Sequence, residues 1–457
     1  MEFKSFRLHI LSVLAFALVL LPGFVRAQSS EALVDMLVQK GVLTEQEGED
    51  VKADLAKEYK STGGGKLDVA KQVKKLKLYG DFRARYEFQE TKRTAAALRD
   101  DSHNAENWRA RIRLRVGAEY TLDEGLKTGV QLATGGQGAD TDQRSTNQTL
   151  GNAFTSPDLY LDLAYGQIDL TKYFKSTDLI DELTICAGIF KNPIKSSNMM
   201  WDGDINPNGA YEKFSWDYEI EEAKGKVYLV TGQFLWDDNI GGGYTGVSGG
   251  NQQDAWLLPF QVGTEVKLPD EDSFNVAVSY YWWLPNEGPG GDIALGAGGS
   301  NRGTAGNGQN QFTNLCDIGP IVVYADYKFK DVFDSKLPLK LWAEYAYNLS
   351  NPGRFKDNSG VQAGAQVGEA KKKGQWEVGA YFNYLEENFW YDGFIDSDFS
   401  NGAVNRVGYV VKAGYAFTDF ATFNFAWYDA DPIYETQNMG FIATEVSRCQ
   451  LDINIKF

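Results

Sequence analysis

The chain has 457 residues, a formal net charge of −17 and 43% hydrophobic residues. Such acidity argues against nucleic acid as a partner. Beyond one apolar run at the start, no segment reaches the roughly 20 apolar residues of a membrane-spanning helix, so a helical membrane protein is excluded.

The first 27 residues read as a secretory leader. Lys4 and Arg7 supply the positive end, Leu8 to Leu21 the apolar stretch, and Val25-Arg26-Ala27 a small-residue cleavage site. Cleavage is expected after Ala27. Residues 28–75 have a helical pattern, with Leu33, Met36 and Leu37 on one stripe. Thr44 and Glu47 have the spacing of a capping box, which predicts a second helix to about Tyr59. "STGGGK" then reads as a break. Leu67, Ala70, Val73 and Leu76 suggest a further short amphipathic piece, and the whole segment reads as a helical periplasmic extension.

From Leu76 the hydrophobic period becomes 2. In "LKLYGDFRARYEF", Leu78, Gly80, Phe82, Ala84, Tyr86 and Phe88 share one face, while Arg83 and Arg85 lie on the other. The next run, "WRARIRLRVGAEY", puts Arg109, Arg111, Arg113 and Arg115 on one face and an apolar row between them. A helix would scatter these arginines; a strand aligns them. The same alternation marks fifteen spans, from 76–89 through 445–457. Their connections alternate between compact turns and long polar loops, as in an outer-membrane barrel. A bacterial barrel closes on an even number of strands, so sixteen are expected. The lengths of the connections place the missing strand in "NFWYDGFI", between Glu386 and Ile395. A terminal strand ending on Phe457 looks like the assembly signal of such barrels.

The fold expected is therefore all-β: a transmembrane antiparallel barrel of about 16 strands over residues 76–457. Its outer rows face lipid. An arginine facing lipid at mid-depth would cost about 2–4 kcal/mol, so the arginine rows must face a wet lumen.

One stretch carries a resemblance. "AGIFKNPIKSSNMMWDGDINPNGAYEKF", residues 187–214, resembles a bacterial family of "putative porins", which shows Gly-x-x-Lys-Asn-Pro followed by Trp-Asp-x-Asp-x-x-Pro-x-Gly. Here these are Gly188, Lys191, Asn192 and Pro193, then Trp201, Asp202, Asp204, Pro207 and Gly209. Ile189 departs from the basic residue expected at its place. "DSDF" at Asp396–Phe399 and the opening "LVQKGVLTEQE" resemble further family segments. The resemblance spans most of the mature chain and implies passive transport of small solutes.

"WDGDINP" falls in the third long connection, the one that narrows the lumen in general porins. By that analogy Trp201, Asp202, Asp204, Asn206 and Pro207 form a constriction loop, its aspartates facing wall arginines across the lumen. The other reading is a surface loop whose aspartates cap turns. Trp201, Met199 and Met200 weigh against free solvation. Arg83, Arg85, Arg109, Arg111, Arg113 and Arg115 line the pore in one reading, as a basic wall that attracts anions or the negative end of a zwitterion. In the other they are wall structure, paired with Asp81, Glu87 and Glu119.

Asp202, Asp204 and Asn206 have the spacing of early EF-hand ligands, but Pro207 replaces the glycine and Lys213 the bidentate Glu, so an EF-hand is rejected. Beyond the leader the histidine is His103, which has no nucleophile site around it. Cys186, Cys316 and Cys449 are scattered and odd in number, allowing at most one bridge. Neither enzyme activity nor a metal or cofactor is expected. The partners expected are outer-membrane lipid and small hydrophilic solutes, with a homotrimer by analogy. A ligand-gated transporter would need a plug larger than the segment before Leu76. The alternative is a structural or adhesive barrel with a closed lumen, touching the cell wall through residues 28–75.

Overall fold

The computed structural model describes residues 38–39, 44–62, 73–93, 105–135, 144–151, 153–154, 156–173, 180–237, 255–284, 318–332, 335–350, 357–434 and 444–457. The leader and Cys316 fall outside them. Two units divide the chain, Met1–Ala70 and Lys71–Phe457.

The first unit contains the helix α1, Glu45–Thr62. Its capping box forms as the spacing predicts. Glu47 N–H donates to Thr44 Oγ1 (3.2 Å), and the Glu47 carboxylate accepts Thr44 N–H (2.8 Å). Of the further amphipathic piece, Val73 and Leu76 belong instead to the first strand, while Leu67 and Ala70 lie outside the described residues.

The second unit is a closed antiparallel barrel. Its strands are β1 Val73–Arg93, β2 Ala105–Leu122, β3 Leu126–Ala133, β4 Tyr160–Asp169, β5 Glu182–Ile189 and β6 Asn208–Ile220. Then follow β7 Ala223–Asp237, β8 Ala255–Lys267, β9 Ser273–Leu284, β10 Pro320–Phe329 and β11 Leu339–Asn348. The last are β12 Ser359–Gly368, β13 Trp376–Leu385, β14 Arg406–Ala416, β15 Ala421–Pro432 and β16 Thr444–Lys456. Each pairs with its neighbours, and β1 pairs with β16 from Asp81↔Lys456 to Arg93↔Thr444. The terminal Phe457 completes the seam, exchanging backbone hydrogen bonds with Gly80 at 2.9 and 3.1 Å. A closed ladder leaves no strand edge unpaired in lipid. A two-residue segment, Gln148–Thr149, adds a local pairing to β2.

Strand number matches expectation, but one strand is elsewhere. The sixteenth is β12, "SGVQAGAQVG", and residues 386–395 form a loop. In β12 the outward row is Val361, Ala363, Ala365 and Val367, between glycines and glutamines. Small side chains blur the polar–apolar contrast on which period-2 reading depends. The aromatic "NFWYDGFI" is buried inside the molecule instead: Phe389 and Trp390 are 0% exposed.

The outer surface is apolar. Trp108 and Val116 are 45% and 46% exposed on β2, and Val278, Leu341, Phe382 and Tyr409 continue the band on other strands. Cys186 and Cys449 are free thiols.

Candidate functional site

The loop between β5 and β6, residues 190–207, begins and ends on a pair of glycines. Gly188 and Gly209 are partners in register and hold φ of +121° and +134°, values that L side chains rarely adopt. A Cβ on Gly209 would lie 2.0 Å from the Gln233 carbonyl oxygen, and one on Gly188 2.2 Å from that of Ala164. Only glycine fits, and the conformation turns the loop into the barrel.

From there the loop crosses to the far wall. Lys195 N–H donates to Gln261 Oε1 on β8 (2.9 Å), and Gln261 Nε2 donates back to the Lys195 carbonyl (2.8 Å). Ser197 N–H donates to Glu344 on β11 (2.9 Å). Asn198 donates to Tyr381 Oη on β13 (3.1 Å) and accepts from Gln362 on β12 (2.9 Å). Phe190, Ile194, Met199, Met200 and Trp201 are all buried.

Two other long connections meet this loop. Trp201 stacks on Phe394 of the β13–β14 loop, centroids 4.5 Å apart. Asp202 N–H donates to the Phe394 carbonyl (2.6 Å), and Trp390 Nε1 donates to that of Met200 (2.7 Å). Trp236 and Tyr391 present edges to the Phe394 ring. From the β3–β4 connection, Arg144 Nη1 donates to the carbonyls of Asp392 (2.6 Å) and Gly402 (3.0 Å). Thr146 donates through N–H and Oγ1 to Asp204 Oδ2, at 3.0 and 2.9 Å. The barrel therefore encloses an apolar core of loop and wall aromatics.

The arginine rows face inward and are heavily paired. Arg113 Nε and Arg115 Nε donate to opposite oxygens of Asp81 (2.9 and 2.7 Å), and both reach Asp204, at 3.9 and 3.6 Å. Arg109 Nε donates to Glu87 (2.5 Å). Arg111 donates to Ser145 Oγ and the Asn147 carbonyl, both at 3.2 Å. Arg85 grips Asp452 at 2.8 and 2.9 Å and donates to Asp398 at 3.1 Å. Arg83 Nε donates to Asn454 Oδ1 at 2.9 Å.

The expected constriction residues separate into different roles. Asp204 does meet wall arginines, but by direct contact rather than across open lumen. Asp202 turns the other way, accepting N–H bonds from Ser397 and Asp204, each at 2.9 Å. Burial, then the nearby Asp396 carboxylate, pushes Asp202 well above the usual carboxylate range. Burial, then Asp398, likewise raises Asp396. The guanidinium groups of Arg113 and Arg115 and the Thr146 bonds hold Asp204 below its usual range. Arg85 and Arg448 hold Asp398 far below it. Asn206 donates to Asp162 Oδ1 (2.7 Å), and the Pro207 carbonyl accepts Phe190 N–H (3.1 Å), so both fasten the loop stem. Of the acids named as arginine partners, Asp81 and Glu87 serve as expected. Glu119 instead accepts from Tyr165 Oη (3.0 Å) and lies 3.7 Å from Lys127.

Several central residues have no local signal in the sequence. Asp398 was marked only by its "DSDF" segment, and Asp452, Arg448, Arg144 and Lys412 by nothing. Together with Arg83, Arg85, Asp204 and Asp396, most of these border one polar cleft of about 290 Å³ inside the barrel. Lys412 points inward on β14 and is nevertheless exposed, so it faces open space within the wall.

Residues 89–289 and 325–457 match the sequence model of a family described as "Putative porin". Nothing among curated proteins matches. Among solved structures, the high-pH form of OprB from Pseudomonas putida is 13% identical, covering 87% of this chain and 97% of its own, with a TM-score of 0.48. The outer membrane channel DcaP of Acinetobacter baumannii is 12% identical, covering 85% and 99%, with a TM-score of 0.43. A triple mutant of Rhodopseudomonas blastica porin is 13% identical, covering 84% and 100%, with a TM-score of 0.37.

Proposed function

The chain belongs to this porin family, an outer-membrane channel of the bacterial envelope, and we propose that it passes small hydrophilic solutes by diffusion, without cofactor or energy input. The observation that carries the reading is the 190–207 loop, which spans the interior and leaves a polar cleft beside an aromatic core. In this reading Trp201, Asp202, Asp204, Asn206 and Pro207 build the constriction. Arg83, Arg85, Arg109, Arg111, Arg113 and Arg115 line the path, with most of their charge neutralised by Asp81, Glu87, Asp204, Asp398 and Asp452. A narrow passage with fixed charges of both signs selects by size and by local field. Removal of residues 1–27, a periplasmic role for 28–75 and assembly as a homotrimer belong to the same reading.

One observation favours the second reading, a structural barrel with a closed lumen: Trp283, Trp390, Phe389 and Phe399 are fully buried inside the wall. Single-channel recording of the refolded barrel in a planar bilayer separates the two. Steady conductance under a salt gradient is expected. A folded barrel that carries no current would leave the structural role standing.

A further inference from the structure

The cations that border the cleft are not equivalent. Arg85 is committed to Asp452 and Asp398, Arg113 to Asp81, and Arg144 to loop carbonyls. Arg83 differs. Its Nε donates to Asn454, but among the described residues neither terminal nitrogen has a hydrogen-bond partner. Its side chain stays 19% exposed, and its nearest acid, Asp452 at 3.5 Å, is already gripped by Arg85.

The wall continues this pattern. Asn454 Nδ2 donates to Asn424 Oδ1 at 2.8 Å, and Thr422 Oγ1 donates to the same oxygen at 2.8 Å. Both bonds fix the Asn424 carbonyl toward the wall and leave its Nδ2 for the cleft. Next along stands Lys412. Its ammonium lies 5.3 and 5.6 Å from the Tyr381 and Tyr428 ring centroids, interacts with the Tyr381 hydroxyl, feels the Asp396 and Asp398 carboxylates nearby, and forms no direct ion pair among the described residues. Two π-faces hold a cation in place without spending its charge. Of the acids that border the cleft, Asp202, Asp204, Asp396 and Glu377 accept backbone N–H groups, and Asp398 and Asp452 hold arginines.

An array of donors with capacity to spare, two of them positively charged, beside acids that already hold donors, is complementary to a group that only accepts. We propose that Arg83, Asn424 and Lys412 form a binding site for a small organic carboxylate on its way through the barrel. The free edge of Arg83 takes the carboxylate, as a planar guanidinium does in bidentate pairs. Lys412 draws the anion in as a point charge, and Asn424 supplies a neutral donor between them. At about 290 Å³ the cleft is at the small end of ligand pockets, which limits the guest to a few carbons. The inference rests on the channel reading for its purpose, though not for its test.

Gluconate is the probe and glucose its uncharged counterpart of equal carbon number. Isothermal titration of the full-length folded barrel in detergent reads binding, and bilayer recording reads conduction. Two charge-assisted contacts put the gluconate Kd on the order of 1 mM. Arg83→Gln and Lys412→Gln should each weaken it roughly tenfold. Arg83→Lys should restore part of the loss, and Lys340→Gln, on β11, should change nothing. Circular dichroism confirms that each variant keeps its strands. Glucose binding as tightly as gluconate, or gluconate binding that ignores both substitutions, overturns the site. Gluconate titration without conductance keeps the site and removes the channel; conductance without gluconate binding does the reverse.

Discussion

Gly209→Ala tests whether the inward loop depends on its hinge. The substitution adds one methyl group, yet that Cβ would stand 2.0 Å from the Gln233 oxygen and 3.2 Å from the Phe234 Cα. Both belong to β7, which is held in register from Gly209↔Phe234 to Ile220↔Ala223, so neither can retreat cheaply. A side chain forced into a φ of +134° adds about 1–3 kcal/mol of backbone strain, and the contact pushes the total to the upper end. The barrel ladder is too extensive to yield. The strain falls on the loop, whose docking equilibrium should shift by about ten- to a hundredfold. Single-channel recording should show a larger and noisier open level, and the loop should become open to protease. Gly203→Ala is the control, since a Cβ there meets nothing within 4 Å. If Gly209→Ala behaves like Gly203→Ala in both assays, the hinge argument fails.

Two further outcomes follow from the loop acids. Asp398→Ala removes the acceptor of Arg85, Arg448 and Gln450, whose bonds measure 3.1, 3.3 and 2.8 Å. Breaking a buried pair costs about 3–5 kcal/mol, and Asp452 compensates Arg85 in part, so about 2 kcal/mol is expected, read as a lower melting temperature of the loop transition. The pH response has a definite sign. Asp202 and Asp396 titrate above the ordinary value, so their contribution is complete below about pH 3.9 and is lost as pH rises through their raised values. Asp204 and Asp398 titrate below it, so theirs is present above about pH 3.9 and fails only in stronger acid. Channel noise should therefore grow as pH rises above the acid range, and Asp396→Asn should flatten that rise. Noise that falls with rising pH would contradict it.

The wall was legible because lipid and water impose opposite demands on alternate residues. "WRARIRLRV" could be placed as a strand, and its arginines turned inward, from period alone. The same rule missed β12, whose alanines, glycines and glutamines give little contrast, and the lengths of the connections then placed the missing strand in "NFWYDGFI". Its true neighbours, Trp201 and Met200, lie on a loop about 190 positions away, and Trp390 reaches the Met200 carbonyl across 190 residues. Long-range charge pairing was hidden for the same reason. Arg85 and Asp398 are 313 positions apart, and nothing local to either announces the other. The family segment "DSDF" marked the place without giving the role. The inward course of residues 190–207 was more readable, because Met199, Met200 and Trp201 had to be buried somewhere.

These pairings also bear on how selectivity can be altered. The acids that neutralise the wall arginines sit partly on the loops: Asp204 on one, Asp398 on another. The same contacts therefore set the field in the lumen and hold the loops inside it. Removing Arg113 or Arg115 changes the field and frees Asp204 together, so a change in ion preference would carry a change in aperture. Arg83 and Lys412 stand apart. Arg83 is tied to the wall through Asn454, and Lys412 rests on Tyr381 and Tyr428, which are wall residues. Substituting either should alter the field with the loops still docked. Anion preference in this barrel is then tunable at those two positions independently of pore size, and at the paired arginines only together with it.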